Sequence, residues 1–250
     1  MRRRNKINYS YLSASTGLNF DALLSDNTLL KLFDIIRTMP NYLIEFRFSG
    51  TAKKFLKSLI YEIAHKFRVR GAISKRAIPH ITLVGPLQTR NQSRLVGTVR
   101  EVCSKYDLVS FKLKGFGRFG HGLFGWLFHQ KVVFVEIQPS EEMNQLRIEL
   151  VKKLDDFCTL TKFDHHKDRH FHATLAFKDI DAKFKDIWNY VQNKKAPDMK
   201  QFLLRVTIIK DQKILYEYDF MQRKLLTRTQ AKNWQVAQKT ISIFKKKLKN

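Results

Sequence analysis

The chain has 250 residues and carries 47 Lys and Arg against 22 Asp and Glu, which gives a formal net charge of +25. Such an excess of positive charge favours an anionic partner, for which nucleic acid is the usual candidate and a membrane surface the alternative. No run of about 18 apolar residues is present, so no segment is expected to span a membrane. The two cysteines lack the spacing of a zinc site. We therefore expect a cytoplasmic protein with reduced thiols.

The chain opens with a basic segment, which we assign to residues 1–40. It consists of an arginine-rich arm and an amphipathic helix, DALLSDNTLLKLFDIIRTM, which Pro40 ends. From residue 41 onward, hydrophobic periodicity predicts a strand in NYLIEFRFSG, a helix in TAKKFLKSLIYEIAHKF, a strand in PHITLVGPL, a helix in SRLVGTVREVCSKY and a strand in VSFKLKGFG. The order of elements is therefore β-α-β-α-β.

The same order returns from residue 132. Its elements are a strand in VVFVEIQPS, a helix capped by Ser140 in SEEMNQLRIELVKKLDDF, a strand in FHATLAF, a helix in AKFKDIWNYVQN and a strand in FLLRVTIIK. The first and second strands of each half begin about 40 residues apart in both halves, although the two sequences barely match. We therefore predict one organised region at 41–226, built from a first lobe at about 41–128 and a second at about 129–226.

The two halves share a chemical motif in their second strands. His80-Ile81-Thr82-Leu83 occupies that place in the first half, and His172-Ala173-Thr174-Leu175 in the second. Each motif alone is a weak signal, but the pair at equivalent positions of a repeat is a strong one. Because side chains alternate across a strand, each His and Thr should face one side while the apolar residues face the core.

Two facing imidazoles suit the cleavage of a phosphodiester. One can take a proton from the attacking oxygen while the other gives a proton to the leaving oxygen, since an imidazole titrates near neutral pH. Threonine hydroxyls can donate hydrogen bonds to the non-bridging phosphate oxygens. This chemistry requires no metal, and we expect neither a metal nor another cofactor.

The paired motifs in a duplicated chain resemble the two-histidine (2H) phosphoesterase superfamily. The likeness is closest to its LigT-like branch of 2′,5′ RNA ligases and RNA 2′,3′-cyclic phosphodiesterases, in particular to archaeal-type members, over about residues 41–226. The resemblance implies an α+β fold, a bilobal pseudo-twofold duplication of the βαβαβ unit. Two antiparallel sheets would flank a central cleft, with helices outside.

The resemblance also implies an activity and roles for four residues. The enzyme would act on RNA ends and open a 2′,3′-cyclic phosphate to a 2′-phosphate, or join that phosphate to a 5′-hydroxyl through a 2′,5′ linkage. His80 and His172 would be the acid and base, with His172 activating water and His80 protonating the leaving oxygen. Thr82 and Thr174 would bind the phosphate.

Five further residues are candidates for substrate binding, each with a plainer alternative. Arg169 and His170 precede the second motif, and Lys75 and Arg76 precede the first, so they would either hold RNA or form solvated basic loops. Phe119 lies in the Gly- and aromatic-rich segment GFGRFGHGLFGWLF. Its ring would either stack on a terminal base or pack within a hairpin.

The last segment, residues 227–250, has the pattern of a basic amphipathic helix. Its predicted apolar face comprises Trp234, Ala237, Ile241, Phe244 and Leu248. Docking on the body of the protein is the default expectation, with RNA binding, self-association and contact with anionic lipid as alternatives. We expect a monomer.

Two other functions remain open at the level of sequence. One is a 2H enzyme for a different diester, such as 2′,5′-oligoadenylate, a 3′ oligo(U) tail or a cyclic ADP-ribose phosphate. The other is a non-catalytic RNA-binding protein that keeps the cleft. The intact His and Thr residues of both motifs favour catalysis, and the net charge favours RNA over a small nucleotide.

Overall fold

Two antiparallel sheets with helices packed on them form the described part of the protein. The computed structural model describes residues 39–73, 77–120, 131–167 and 169–249. The predicted basic arm and helix of the N-terminal segment therefore lie outside the described residues, except for Met39 and Pro40. Lys75, Arg76 and the 121–130 part of the glycine-rich segment lie outside them as well.

The strands fall largely where hydrophobic alternation predicts them. In chain order they are β1 (Asn41–Arg47), β2 (His80–Gln88), β3 (Ser110–Phe119), β4 (Val132–Pro139), β5 (His172–Phe177), β6 (Asp198–Phe202), β7 (Arg205–Lys210), β8 (Lys213–Asp219) and β9 (Lys224–Thr227). The predicted strand FLLRVTIIK is in fact split, because its first residue ends β6 and its last six form β7.

The helices follow the predicted pattern closely. They are α1 (Gly50–Phe67), α2 (Gln92–Ser104), α3 (Glu141–Asp155), α4 (Phe184–Gln192), α5 (Arg228–Lys232) and α6 (Trp234–Lys247), with a short 3-10 helix at Asp181–Lys183. Ser140 caps α3 as predicted, since its hydroxyl accepts a hydrogen bond from the Met143 backbone N–H. Of the helices in the described ranges, none combines the length and apolarity needed to cross a membrane.

The two sheets exchange their third strands. One sheet has the order β2-β1-β7-β8-β9, and the other has the order β5-β4-β3-β6. Strand β3 of the first half therefore pairs with β4 of the second, while β7 of the second half pairs with β1 of the first. The predicted α+β class with two antiparallel sheets is confirmed, but the predicted lobe boundary at about 128 does not separate the sheets. Each sheet takes strands from both halves of the sequence.

The helices cover the apolar faces of the motif strands. Helix α1 of the first half contacts β5, and α3 of the second half contacts β2. Each of these helices therefore packs on the motif strand of the other half. In the first of these contacts Ile60 and Ile63 of α1 lie against Leu175. The opposite faces of β2 and β5 carry the His and Thr residues and are left for a site.

The C-terminal segment docks on the sheets with the middle of the predicted face, together with Thr240, which that face did not include. Thr240 is buried, and Phe244 lies with its ring centroid 5.3 Å from that of Phe202 on β6. Trp234 and Leu248 are 72% and 53% exposed, so two residues of the predicted apolar face point to solvent. Thr240 is buried there because it has hydrogen-bond partners on the sheet, Arg205 and Asp219.

Candidate active site

The two motif strands lie side by side at the edges of the two sheets. Strand β2 is the edge of the five-stranded sheet, β5 is the edge of the four-stranded sheet, and the two strands are in contact. Their burial alternates as the sequence predicts: the first and third residues of each motif are partly exposed, and the second and fourth are buried. The structure therefore brings His80, Thr82, His172 and Thr174 to neighbouring strands on the faces that the helices leave open.

Both catalytic candidates are held in the same way by the backbone. The Nδ1 atom of His80 lies 2.8 Å from the carbonyl oxygen of Ile78, and that of His172 lies 3.3 Å from the carbonyl oxygen of His170. In each case the partner is two residues upstream. A carbonyl can only accept, so Nδ1 carries the proton, and Nε2 of the neutral ring is left with its lone pair. This is the tautomer that a general base at Nε2 requires.

The environment of His172 favours the neutral imidazole. Burial lowers the pKa of His172 to about 4, because the imidazolium loses hydration there. The hydrogen bond to the His170 carbonyl opposes this shift, whereas the positive charges of His170, Arg169 and His80 add to it. The contribution from His80 means that a positive charge on one motif imidazole acts electrostatically on the other. His172 is therefore a base that is ready at neutral pH.

A carboxylate and a guanidinium accompany His80, and sequence reasoning missed both. Strand β1 pairs Glu45 with Thr82 and Arg47 with His80, so all four side chains share one face. The Glu45 Oε2 atom lies 3.9 Å from His80 Nε2, and Arg47 Nε donates to Glu45 Oε1 at 2.5 Å. Glu45 is only 3% exposed. The sequence could have indicated both residues, because the alternation in LIEFRF puts Glu45 and Arg47 on the face opposite Ile44, Phe46 and Phe48.

Aromatic rings and a second carboxylate accompany His172. The ring of Phe119 lies 5.3 Å from the rings of both His170 and His172 and 4.3 Å from that of Phe134, centroid to centroid. His170 Nε2 lies 2.9 Å from Oε2 of Glu136, the residue that pairs with His172 across β4 and β5. The structure thus places two predicted residues, Phe119 and His170, beside the second motif.

A glycine makes room for this cluster. Gly117 on β3 pairs with Phe134, and a Cβ atom added at Gly117 would lie 2.3 Å from both the Phe134 ring and the Glu136 carboxylate. Those two side chains therefore lie over a position where any larger residue would displace them. Within the glycine-rich sequence GFGRFG, Gly117 therefore allows the Phe134 and Glu136 side chains to approach the β3 backbone closely.

Arg169 has a different environment from the predicted one. Its Nη1 donates to Oδ1 of Asp164 at 2.6 Å, and its side chain is largely buried. Asp164 is itself buried and also accepts hydrogen bonds from the Gly85 backbone N–H and from Thr161. Arg169 therefore braces the loop before the second motif, and its paired nitrogen is not available to a phosphate.

Asp179 joins the residues after β5 to the segment after α1. Asp179, just after β5, accepts hydrogen bonds from the backbone N–H groups of Arg70 and Gly71, in the segment between α1 and β2. Asp164, before β5, is bonded to Gly85 near the end of β2. Asp164 thus joins the loop before β5 to β2, and Asp179 joins the residues after β5 to the segment after α1.

Comparison with known proteins adds one family and several structures. A family model described as the 2'-5' RNA ligase superfamily matches residues 59–210, more than half of the chain. The chain is similar to Usb1 of Kluyveromyces marxianus, with 8% identity and a TM-score of 0.44 over 70% of this chain and 95% of that one. It is also similar to a structure described as a phosphoesterase, with 14% identity and a TM-score of 0.39 over 76% of this chain and 94% of that one. No curated protein matches this chain.

Proposed function

Because this chain belongs to the 2'-5' RNA ligase superfamily, we propose that it is a phosphodiesterase that opens 2′,3′-cyclic phosphates at RNA ends. The observation that carries the proposal is the contact between two His-x-Thr strands, in each of which the histidine Nδ1 faces a backbone carbonyl. This arrangement leaves both Nε2 atoms for proton transfer. The archaeal-type affiliation, the cytoplasmic location and the monomeric state stay predictions from the sequence.

His172 and His80 divide the proton transfers of hydrolysis. His172 Nε2 takes a proton from water, whose oxygen forms a new bond to phosphorus while the bond from phosphorus to O3′ breaks. Protonated His80 gives its proton to O3′, so the products are a 2′-phosphomonoester and a 3′-hydroxyl. The Glu45 carboxylate, 3.9 Å from His80 Nε2, is the countercharge for the protonated ring. With the 5′-hydroxyl of another RNA in place of water, the same steps form a 2′,5′ linkage.

The remaining polar groups stabilise the phosphate. The hydroxyls of Thr82 and Thr174 donate hydrogen bonds to the non-bridging oxygens, where charge accumulates in the transition state. Arg47 pairs with His80 across the sheet and supplies a positive charge on the same face. Phe119 and His170 offer rings on which a terminal base can stack.

The decisive experiment uses an RNA that ends in a 2′,3′-cyclic phosphate, incubated with the enzyme in EDTA, with the product ends then identified. We expect 2′-phosphate ends. His80→Ala and His172→Ala should each lower kcat by about 10²- to 10⁴-fold, the usual contribution of a general acid or base. His65→Ala, on the exposed surface of α1, is the matched control and should leave the rate unchanged.

Three other results would change the conclusion. Equal turnover by wild type and both motif variants would remove the catalytic assignment. Cleavage of 2′,5′-linked RNA, of a 3′ oligo(U) tail or of cyclic ADP-ribose phosphate, without action on the cyclic phosphate end, would assign the site to another diester. RNA binding without turnover of any of these would indicate a non-catalytic RNA-binding protein.

A further inference from the structure

Every charged side chain in the C-terminal part of the chain is basic. After Asp219 the sequence contains nine Lys and Arg residues and no Asp or Glu. They are Arg223, Lys224, Arg228, Lys232, Lys239, Lys245, Lys246, Lys247 and Lys249. A surface built from this segment therefore attracts polyanions.

Buried polar contacts hold this segment in one place. Arg205 on β7 donates to Oδ2 of Asp219 at 2.9 Å, to Oγ1 of Thr240 on α6 at 2.8 Å and to the carbonyl oxygen of Ala231 on α5 at 3.2 Å. Thr240 Oγ1 in turn donates to Asp219 at 2.5 Å, and Thr240 is only 2% exposed. The side-chain amide of Gln222 also bonds Thr240. Because these groups are desolvated, α5 and α6 are fixed to the sheet and not loosely attached.

The sheet face to which they are fixed is the face of the first motif. Thr82 pairs with Glu45, Glu45 with Thr207, and Thr207 with Glu217, so these side chains project to the same side. Arg205 belongs to this face as well, since it lies two residues from Thr207 and bonds Glu217. Strand β7 is two strands from β2 in the sheet. At ~4.8 Å per strand, the backbone of Arg205 lies about 10 Å from strand β2, which carries His80. Arg205, which bonds both basic helices, therefore lies on the same sheet face as His80.

The outer side of α6 presents groups that suit single-stranded RNA. Lys239, Lys245 and Lys246 are exposed, and the described residues place no carboxylate within ion-pair distance of them. Lys247 on the same turn is paired with Asp107. Trp234, 72% exposed at the start of α6, offers a ring for stacking on a base.

We propose that α5 and α6 form a second RNA-binding surface, which holds the backbone of the RNA chain whose end occupies the active site. The inference rests on the proposed function for its substrate class. Lysines bind the phosphates, and Trp234 stacks on a base. The surface makes the enzyme prefer polymeric RNA over a dinucleotide with the same cyclic phosphate end.

Binding of a fluorescent single-stranded 20-nucleotide RNA, followed by anisotropy at several salt concentrations, tests the surface without any need for turnover. The variant Lys239→Gln/Lys245→Gln/Lys246→Gln should raise Kd about 10-fold or more at low salt. It should also reduce the slope of log K against log salt by about 2, at ~0.7 per phosphate contact for single strands. Trp234→Ala should raise Kd with little change of that slope, since stacking releases no counterions.

The matched control removes three charges elsewhere. Lys53→Gln/Lys54→Gln/Lys185→Gln changes exposed lysines on α1 and α4, helices on the apolar faces of the sheets, and should leave the slope nearly unchanged. Equal losses in both triple variants would overturn the proposal in favour of overall charge, and no loss in the α6 variant would overturn it outright. If the α6 variant lost binding to phosphatidylserine vesicles but kept RNA binding, the surface would belong to lipid.

Kinetics then separate this inference from the proposed function. For the α6 variant we expect a higher KM on the long cyclic-phosphate RNA and unchanged kinetics on a dinucleoside 2′,3′-cyclic phosphate. Equal KM increases on both substrates would overturn the inference. If the wild-type protein turned over neither substrate, the proposed function would be overturned instead. The RNA affinities measured by anisotropy would still test the α6 surface.

Discussion

Two histidines that are equivalent in the sequence repeat differ in their surroundings. His80 has Glu45 and Arg47 beside it on β1, while His172 has Glu136 and Phe134 beside it on β4. A carboxylate lies 3.9 Å from His80, whereas burial favours the neutral form of His172. Different environments for chemically identical groups are how enzymes divide acid and base roles. The division of roles that we propose therefore rests on the neighbours of each histidine and not on the motif.

The lowered pKa of His172 leads to a pH prediction. The proposed base must be neutral, so kcat/KM should not decline as pH falls from 7 to about 5 and should decline only as pH passes through about 4, where His172 takes up a proton. An unperturbed imidazole would give the decline near pH 6.5. The pH profile of kcat/KM on a cyclic-phosphate dinucleotide checks this. A decline centred at pH 6 or above would contradict the role or the environment assigned to His172.

Strand β3 shows how a single element shapes the site. Its residue Phe119 reaches the second motif, while Gly117, two residues earlier on the same face, carries no side chain. The space above Gly117 is filled by Phe134 and Glu136 from the neighbouring strand. The glycine-rich pattern suggested a hairpin in the sequence. Within β3, Gly117 instead lets the side chains of Phe134 and Glu136 pack directly over the backbone.

We expect Gly117→Ala to disturb this packing. The added methyl group must displace Phe134 and Glu136, which should lower the free energy of unfolding by about 1–3 kcal/mol, as overpacking usually does. It should also lower kcat on the cyclic-phosphate RNA, since both displaced residues pair with the second motif. Thermal denaturation and kinetics measure the two effects.

Gly97→Ala is the control for this change. Gly97 lies inside α2, and a Cβ atom there meets nothing within 4 Å. Alanine should therefore stabilise the helix by about 0.5–1 kcal/mol and leave activity unchanged. If Gly117→Ala behaved like Gly97→Ala, the close packing above β3 would have no bearing on catalysis.

At the scale of the whole molecule, the exchange of strands makes the two halves interdependent. Strand β1 needs β7 as a partner, and β3 needs β4, and in both cases the partner comes from the other half of the chain. The helices add to this dependence, because α1 packs on β5 and α3 on β2. The duplicated pattern in the sequence therefore does not correspond to two separate folding units.

This interdependence can be tested with fragments cut at the predicted lobe boundary. Residues 1–128 alone would leave β1 without β7 and β3 without both of its partners, β4 and β6, and would expose the face of α1 that packs on β5. We expect this fragment to show no cooperative thermal unfolding by circular dichroism, and to regain it on co-expression with residues 129–250. A sharp unfolding transition of the isolated fragment would contradict the role of the exchanged strands.

The sequence predicted local features well and pairings between distant segments poorly. Periodicity located α1, α3 and both motif strands, because burial of one face imposes it. It could not show that β3 leaves its own half, since pairing depends on contacts far apart in the chain. The ion pair of Arg169 with Asp164 and the hairpin of β8 and β9 are local features, and the sequence analysis missed them as well.

Asp164 bears on how the site is assembled. It lies in the loop before β5 and accepts a hydrogen bond from Gly85 of β2, so a movement of the start of β5 away from β2 must break this bond. We expect this bond to limit changes in the spacing of the two imidazoles. In the proposed mechanism, the binding energy of the substrate is then not consumed in drawing the acid toward the base.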